Sequence, residues 1–303
     1  MKTICVRGKV MLSGEYSVLY GGTAVLIPVP RYFYISEAED SICRDNNPVT
    51  KSALQISIPE LRDFEMGNGE PHLEIDRSEF FYEGPDARKI KLGLGSSAAE
   101  AVGIIALRFE RAGRPWAENK NAITKYAISA HRRAQKGRGS GADVAACAYQ
   151  LPIKYRIRDD EFLIEVIKEA ADKERIPMAL VWTSQAADSR EMIARFENWR
   201  ATGASESIHF FDRLLESGQK LADLWFKESS KVIYEQLDEY MELLEICLSA
   251  ASIIYKLPIH RELETWAKAN GGRAKPTGAG GGDMILLLGD LPIHELKQLT
   301  ISL

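Results

Sequence analysis

The sequence predicts a mixed α+β protein of about two domains, and three observations support this fold class. The chain has 303 residues, whereas a typical domain has ~150. The first 40 residues are rich in β-branched and aromatic residues set between Gly and Pro, which is typical of strands. The segment Ser189 to Asn270 has an almost wholly helical pattern. Because the pattern changes between residues 150 and 175, we predict domains 1–165 and 166–303.

Individual elements follow from periodicity and from helix and turn signals. Ser96 is a possible N-cap and Gly113 a possible helix end, so both ends of a helix over 96–111 are marked. Pro115 suits the first turn of a second helix. The predicted strands are 3–12, 23–29, 31–38, 54–58, 73–75, 153–157, 162–167, 178–184 and 284–288. The predicted helices are 96–111, 115–135, a short one after Asp143, those of 189–270, and a last one at the C-terminus.

Composition and charge exclude several functional classes. Hydrophobic residues make up 45% of the chain and charged residues 27%, as in ordinary globular proteins. The net charge of −4 predicts no nucleic-acid or membrane partner, so any site for a polyanion has to be local. Four scattered cysteines without a CxxC pair favour reduced thiols. The longest charge-free run, Tyr16 to Pro30, is short and broken by Gly and Pro, so we expect a cytoplasmic protein.

The segment KLGLGSSAAE (91–100) places two glycines and two serines before the predicted helix. Such a loop lets backbone N–H groups approach phosphate oxygens, and the helix N-terminus adds partial positive charge. It is not a Walker A loop, because no GK[ST] follows. A plain tight turn and a dinucleotide fingerprint, G-x-G-x-x-A, are the alternatives. The segment is therefore a candidate phosphate site.

A second glycine-rich segment, GGRAKPTGAGGGD (271–283), has six glycines in thirteen residues before an apolar strand. Clustered glycine indicates a backbone with positive φ or one that touches a ligand, and a flexible hinge is the alternative. Thr277 offers a hydroxyl donor and Lys275 a charge.

The segment SAHRRAQKGRGSGADVAA (129–146) carries five potential cations within eight residues, which favours a local anion site: His131, Arg132, Arg133, Lys136 and Arg138. A solvated helix face is the alternative. Asp143 either caps the next helix or positions or deprotonates an acceptor hydroxyl. Lys9 lies in an otherwise apolar strand, where it either reaches a phosphate or carboxylate or protects a sheet edge.

Taken in order, these segments resemble the GHMP small-molecule kinase family. GKVMLSGEYSVLYGGTAV, KLGLGSSAAEAVG and AKPTGAGGGDMILLL are similar to its three motifs, and the likeness is strongest to the phosphomevalonate and mevalonate kinase branches. The resemblance implies a two-domain α+β fold, with an N-terminal domain like ribosomal protein S5 domain 2 and a ferredoxin-like C-terminal domain. It also implies ATP and Mg²⁺ as cofactors.

The resemblance further implies site residues. Lys9 and Asp143 would be catalytic, and Ser97 would place a hydroxyl on Mg²⁺. The residues that would wrap the ATP phosphates are Gly93, Leu94, Gly95, Ser96, Ser97 and Ala98. Those expected to bind substrate are His131, Arg138, Ser140, Thr277, Gly278, Ala279 and Gly280. Mevalonate kinases carry a magnesium-binding glutamate eleven residues before the aspartate, where this chain has Arg132.

The implied activity is transfer of the γ-phosphoryl group of ATP to a small anionic substrate, by a monomer or homodimer. A phosphate monoester has a second pKa of about 6 and is already largely ionised at neutral pH, so it needs cations more than a base. The cluster from His131 to Arg138 therefore favours a phosphorylated acceptor such as phosphomevalonate. A kinase for mevalonate or for another alcohol or sugar, and a catalytically silent nucleotide-binding regulator, are the alternatives.

Overall fold

The computed structural model describes residues 3–38, 47–68, 72–83, 88–158, 161–168, 175–202 and 205–303. The chain divides into two compact units, each assembled from separated segments. Unit 1 comprises Met1–Val10, Ile27–Lys89 and Leu94–Leu151, and unit 2 comprises Met11–Leu26, Ile90–Gly93 and Pro152–Leu303. The predicted division of the chain at residue 165 stays a prediction.

The architecture is mixed, as the sequence predicts. The strands are β1 Thr3–Ser13, β2 Ala24–Glu37, β3 Leu73–Asp76, β4 Phe81–Glu83, β5 Lys89–Lys91, β6 Ile153–Arg158, β7 Glu161–Val166, β8 Met178–Trp182, β9 Arg273–Pro276, β10 Met284–Leu288 and β11 Thr300–Ser302. The helices are α1 Pro48–Gln55, α2 Arg62–Asn68, α3 Ser96–Arg111, α4 Lys120–Ala134, α5 Ala142–Tyr149, α6 Ser189–Thr202, α7 Ser205–Leu224, α8 Ser230–Ala250 and α9 Pro258–Ala269.

A five-stranded sheet runs in the order β1-β2-β6-β7, with β3 pairing with β2. The sequence predicts two strands where β2 is continuous through Pro28 and Pro30. The antiparallel pairing of β2 with β6 covers Ala24 to Leu26, and its pairing with β3 covers Tyr34 to Glu37. Both prolines lie between these two segments, where a missing N–H costs no hydrogen bond to β6 or β3. β1 lies at the end of this order.

In unit 1, helices α3, α4 and α5 pack together and α1 packs on α3 and α4. Helix α3 is buried over most of its length, from Ala98 to Phe109. Gly103 permits close packing on the sheet, because a Cβ there would lie 2.8 Å from a ring carbon of Phe33. The best marked helix of the sequence is therefore a core helix, and its N-terminus is the glycine–serine loop.

In unit 2, β8, β9, β10 and β11 form a four-stranded sheet in the order β11-β8-β10-β9. Strand β10 is central and fully buried, with antiparallel partners on both sides. An apolar cluster joins this sheet to α9 through Ala179, Val181, Leu263, Ala267, Ala274, Ile285, Leu287 and Leu291. Helices α7 and α8 pack on each other in the same unit. A helical pattern over 189–270 is confirmed by α6 to α9.

The second predicted helix begins later than expected, because a 3₁₀ turn at Trp116–Glu118 precedes α4, which starts at Lys120. Two other element predictions are wrong. The predicted strand at 54–58 begins within α1, which the Asn47 side chain caps by accepting a hydrogen bond from the Val49 N–H at 3.0 Å. The predicted C-terminal helix is a short 3₁₀ turn, Ile293–Glu295, followed by β11. Pairing of β11 with the edge of β8 decides this segment, which has no strong helical signal of its own.

Three cysteines are free thiols in the structure, as predicted: Cys5, Cys147 and Cys247. Cys43 and most of the charged run 168–175 lie outside the described residues. None of the helices in the described ranges is both long and apolar enough to span a bilayer.

Candidate active site

Lys9 is buried although it lies on β1, at the end of the sheet. Its residue exposure is 6%, so the interpretation of a solubility lysine at a sheet edge does not hold. The Lys9 backbone N–H donates to the Leu94 carbonyl at 3.0 Å. This hydrogen bond thus holds the glycine loop of residues 91–100 against β1, close to the Lys9 side chain.

Gly95 lies directly against that side chain. Its φ is +85°, and a Cβ there would come within 3.0 Å of Lys9 Cε. Both facts require glycine at this position. Gly95 is the N-cap residue of α3 and has no side chain to cap the helix, while the first N–H groups of a helix lack partners within it. The loop therefore offers N–H donors and positive dipole beside an ammonium, which suits phosphate oxygens.

The order of elements after this loop excludes a dinucleotide fold. Such a fold needs a second strand after the first helix, ending in an acidic residue. Here α3 is followed by a 3₁₀ turn at Trp116–Glu118 and then by α4 and α5, with β6 next.

Lys9 forms an ion pair with Asp143. The distance from Lys9 Nζ to Asp143 Oδ1 is 3.1 Å, and the two side chains are 8% and 41% exposed. Asp143 lies in the first turn of α5, where a carboxylate also interacts favourably with the helix dipole. A buried ammonium therefore reaches a carboxylate that remains open to solvent. This arrangement brings together the two residues predicted to be catalytic.

His131 contacts Ser97 in the structure. Its Nε2 lies 3.1 Å from Ser97 Oγ and 3.2 Å from Gln135 Nε2. Burial lowers the pKa of His131, against an opposing effect of Asp143. A neutral imidazole with an accepting Nε2 lets the Ser97 hydroxyl donate, which leaves the serine oxygen lone pairs for another partner. The predicted role of His131 in substrate binding stays a prediction.

The glycine turn before α5 has a cationic partner. Arg132 donates from Nε to the Gly139 carbonyl at 3.0 Å and from Nη2 to the Ser140 carbonyl at 2.9 Å. Ser140 Oγ accepts from the Ala142 N–H at 3.2 Å. Arg132 therefore shapes this turn, whereas Arg138 is exposed. Of these two arginines, Arg138 is therefore the better candidate for contact with an anionic substrate.

The second glycine-rich segment connects the antiparallel strands β9 and β10 in unit 2. Thr277 donates from both its N–H and its hydroxyl to the Met284 carbonyl, at 3.1 Å and 2.9 Å. A Cβ at Gly280 would overlap with the ring of Tyr255, whereas a Cβ at Gly278 would meet no atom within 4 Å in the described structure. One side of this loop is packed and the other is open, which is unlike a free hinge.

Asp283 connects this segment to the first glycine loop within unit 2. Gly93 has a φ of +75°, and a Cβ there would lie 2.5 Å from Asp283 Oδ2. Asp283 Oδ1 also accepts from the Ala187 N–H at 3.1 Å. Asp283 is not among the site residues predicted from the sequence, although an acidic residue at the end of a glycine run is a usable signal for one. Gly93 is thus needed for close packing as well as for backbone conformation.

Two buried residues of unit 2 were not recognised as a pair from the sequence. Lys275, expected to offer a charge, has 0% side-chain exposure and is paired with Glu15, which has 1%. No local signal joins two positions 260 residues apart. Lys275 is therefore an internal cation of unit 2.

Comparison with known proteins agrees with these features. Residues 83–150 match the family described as GHMP kinases N terminal domain. The phosphomevalonate kinase of Saccharolobus solfataricus is 26% identical over 309 residues, with 96% of this chain and 91% of that protein covered.

Two solved structures share the fold. The Lin0012 protein from Listeria innocua superimposes with a TM-score of 0.79 at 21% identity, covering 98% of this chain and 97% of that one. Streptococcus pneumoniae phosphomevalonate kinase, in complex with phosphomevalonate and AMPPNP, gives a TM-score of 0.75 at 20% identity, covering 95% and 92%. The two-domain α+β fold inferred from the motifs is confirmed.

Proposed function

We propose that this chain is an ATP-dependent phosphotransferase of the GHMP kinase type and that its acceptor is phosphomevalonate. The observation that carries the proposal is the ion pair of Lys9 and Asp143 at 3.1 Å, beside the N-terminal loop of α3. The relative from S. solfataricus, aligned over 96% of this chain, supports this acceptor.

Phosphoryl transfer asks little covalent chemistry of the protein, so alignment and charge stabilisation supply most of the acceleration. The Lys9 ammonium supplies positive charge at the reacting phosphate, and the free N–H groups of α3 hold phosphate oxygens. A site that keeps its lysine and its carboxylate together is equipped for this chemistry. A silent regulator has no need of such a pair.

The carboxylate of Asp143 positions Lys9 and the acceptor in this mechanism. An alcohol acceptor loses a proton as it attacks, and a base accelerates such steps by about 10²–10⁴-fold. A phosphate acceptor is largely ionised already, so Asp143 has less proton transfer to perform. The exposed Arg138, five residues before Asp143, is the proposed contact for the acceptor's negative charge.

The residues fit a magnesium ion that is held mainly by phosphate. Mg²⁺ usually keeps several waters and binds few protein oxygens together with substrate phosphates. Within the described ranges, no group of three His, Cys, Asp or Glu side chains is arranged to hold a metal. Ser97 would contribute its hydroxyl oxygen, whose proton is directed to His131. When bound, the ion would neutralise phosphate charge.

A mevalonate acceptor is the alternative, and Arg132 argues against it. The glutamate that mevalonate kinases place here would serve as a metal ligand, whereas Arg132 binds two backbone carbonyls of the turn before Asp143.

The proposal is tested by measuring ADP release with phosphomevalonate, mevalonate, homoserine and common sugars. We expect kcat/KM for phosphomevalonate to exceed that for mevalonate by about 100-fold or more, because an acceptor without the phosphate group leaves the cations that would bind that group unpaired. Arg138→Ala should raise KM for phosphomevalonate, with Arg114→Ala, at an exposed arginine outside the cation cluster, as the control. Turnover of mevalonate alone would contradict the proposed acceptor.

A further inference from the structure

The segment Gly14–Tyr16, which directly follows β1, meets the second glycine-rich loop within unit 2. Glu15 pairs with Lys275, which lies on β9 directly before that loop. The Tyr16 hydroxyl donates to the Ala279 carbonyl, further along the loop, at 2.8 Å. Two consecutive residues therefore hold two separate points of the second glycine-rich segment, 271–283.

The ion pair is tied into the backbone on both sides. Lys275 Nζ also donates to the Pro276 carbonyl at 2.9 Å. Glu15 Oε2 accepts from the Tyr240 hydroxyl at 2.9 Å, and that hydroxyl accepts from the Gly14 N–H at 2.9 Å. The pair thus fixes the backbone of residue 276 relative to that of residue 14.

Stability alone does not account for this pair. Removing two charges from water costs several kcal/mol per ion, and replacing a buried pair by well-packed apolar residues is often neutral or stabilising. What a buried pair with good geometry does provide is a defined arrangement of the two segments that carry it. Here one of those segments is the glycine-rich loop.

Tyr16 adds a strained anchor. Its φ is +58°, which is uncommon for a residue with a Cβ. Its side chain is buried, and its ring packs on Phe196 with a centroid distance of 4.7 Å. Local strain of about 1–3 kcal/mol persists only where the surrounding structure fixes it, and it concentrates at functional sites. This conformation directs the hydroxyl to Ala279.

The anchors leave one side of the loop open. Tyr255 fills the space at Gly280, and its carbonyl accepts from the Gly281 N–H at 2.9 Å. A Cβ added at Gly278, whose φ is +59°, would meet nothing within 4 Å in the described structure. The loop is therefore held at residues 280 and 281, whereas the space beside Gly278 leaves room for a ligand.

We propose that Tyr16 and the Glu15–Lys275 pair are positioning residues that hold the loop 276–281 in the conformation that receives the ATP phosphates. This inference rests on the proposed kinase function, and it extends the expected substrate-binding role of residues 277–280 to the phosphates of ATP. It does not depend on the identity of the acceptor. None of the three side chains needs to touch the nucleotide.

The first test is Tyr16→Phe, which removes one hydroxyl and keeps the ring. We expect AMPPNP affinity, measured calorimetrically with Mg²⁺, to fall by about 5-fold, because one hydrogen bond is lost. KM for ATP should rise by a similar factor with little change in kcat. Tyr20→Phe is the matched control, since Tyr20 lies near the same Phe196 ring at 6.1 Å, and it should bind AMPPNP as the wild type does.

The second test is the double variant Glu15→Gln with Lys275→Met, which removes both charges together and avoids a lone buried ion. It should keep a cooperative thermal transition and lose AMPPNP affinity by about 10-fold. Wild-type affinity in this folded variant and in Tyr16→Phe would overturn the inference, as would a fall in Tm alone. If the wild type bound no AMPPNP, the inference would also be wrong. Intact AMPPNP binding without turnover of phosphomevalonate would count against the proposed acceptor only.

Discussion

Two lysine–carboxylate pairs, formed by side chains from β1 and from the turn after it, differ in their surroundings. In the Lys9–Asp143 pair the carboxylate is 41% exposed, whereas both side chains of the Glu15–Lys275 pair are at most 1% exposed. A charge that faces solvent can interact with a substrate, and a charge enclosed by protein can act only on the chain. We therefore assign the same pairing of residue types to two proposed roles, catalysis for Lys9–Asp143 in unit 1 and positioning of a loop for Glu15–Lys275 in unit 2.

The largest expected effect comes from removing one partner of the buried Glu15–Lys275 pair. Lys275→Met leaves the Glu15 carboxylate buried without its ammonium, and the free energy of unfolding should fall by about 3–5 kcal/mol. Urea denaturation followed by fluorescence measures this. Lys9→Met serves as the comparison. It should lower the free energy of unfolding much less, because the Asp143 carboxylate that it leaves behind is open to solvent. Equal losses in the two variants would show that exposure does not separate the pairs.

The second largest effect concerns the activity of a variant of the solvent-exposed pair, Lys9–Asp143. Lys9→Met removes the ammonium beside the phosphate loop, and kcat should fall by about 10²–10³-fold, as when one group that stabilises the transition state is lost. Steady-state ADP release gives the value, with thermal denaturation to confirm that the variant folds. A kcat within a few fold of wild type would remove Lys9 from the proposed catalytic role.

A smaller effect is expected when a methyl group is added beside Lys9 in the Lys9–Asp143 pair. Gly95→Ala places a methyl group about 3 Å from Lys9 Cε and imposes a positive φ on alanine, which costs about 1 kcal/mol. We expect kcat/KM for ATP to fall by about 10-fold. Gly113→Ala is a matched control, since Gly113 also has a positive φ but a Cβ there would meet no atom within 4 Å in the described structure. Equal effects in both variants would assign the loss to backbone strain alone.

The smallest predicted effect concerns a buried ionisable group that has no oppositely charged partner among the residues that the structure describes. His260 is fully buried, its Nδ1 accepts from the Leu257 N–H at 2.8 Å, and burial lowers its pKa to about 4. The pKa of histidine in the unfolded chain is about 6.5, so the unfolded state binds the proton more readily than the folded state. The free energy of unfolding therefore decreases as the pH is lowered below about 6.5. Between pH 7.5 and 5.5 the loss should be about 1 kcal/mol.

Denaturant titrations at the two pH values check this expectation. His260→Gln should remove that part of the pH dependence, and the exposed His294→Gln should leave it unchanged. An unaltered pH dependence in His260→Gln would contradict the assignment.

Much of the fold could be predicted because its signals are local. The helix over 96–111 has marked ends and a regular apolar face, and the strand over 284–288 is an uninterrupted apolar run. The predictions that failed lie where local preference is weak. The segment 54–58 follows a capped helix turn, and the C-terminal segment becomes a strand only because β8 offers it an edge.

The sequence by itself determined the chemistry of the candidate site: its lysine, its carboxylate, its serines and the glycines that let a backbone approach phosphate. Their residue types and order carry that information. The tertiary structure alone decided the partners, placing Asp143 beside Lys9, Arg132 on the turn carbonyls and Lys275 in the interior with Glu15. The physical reason is that burial and pairing depend on groups far apart in the chain, so no local pattern contains them.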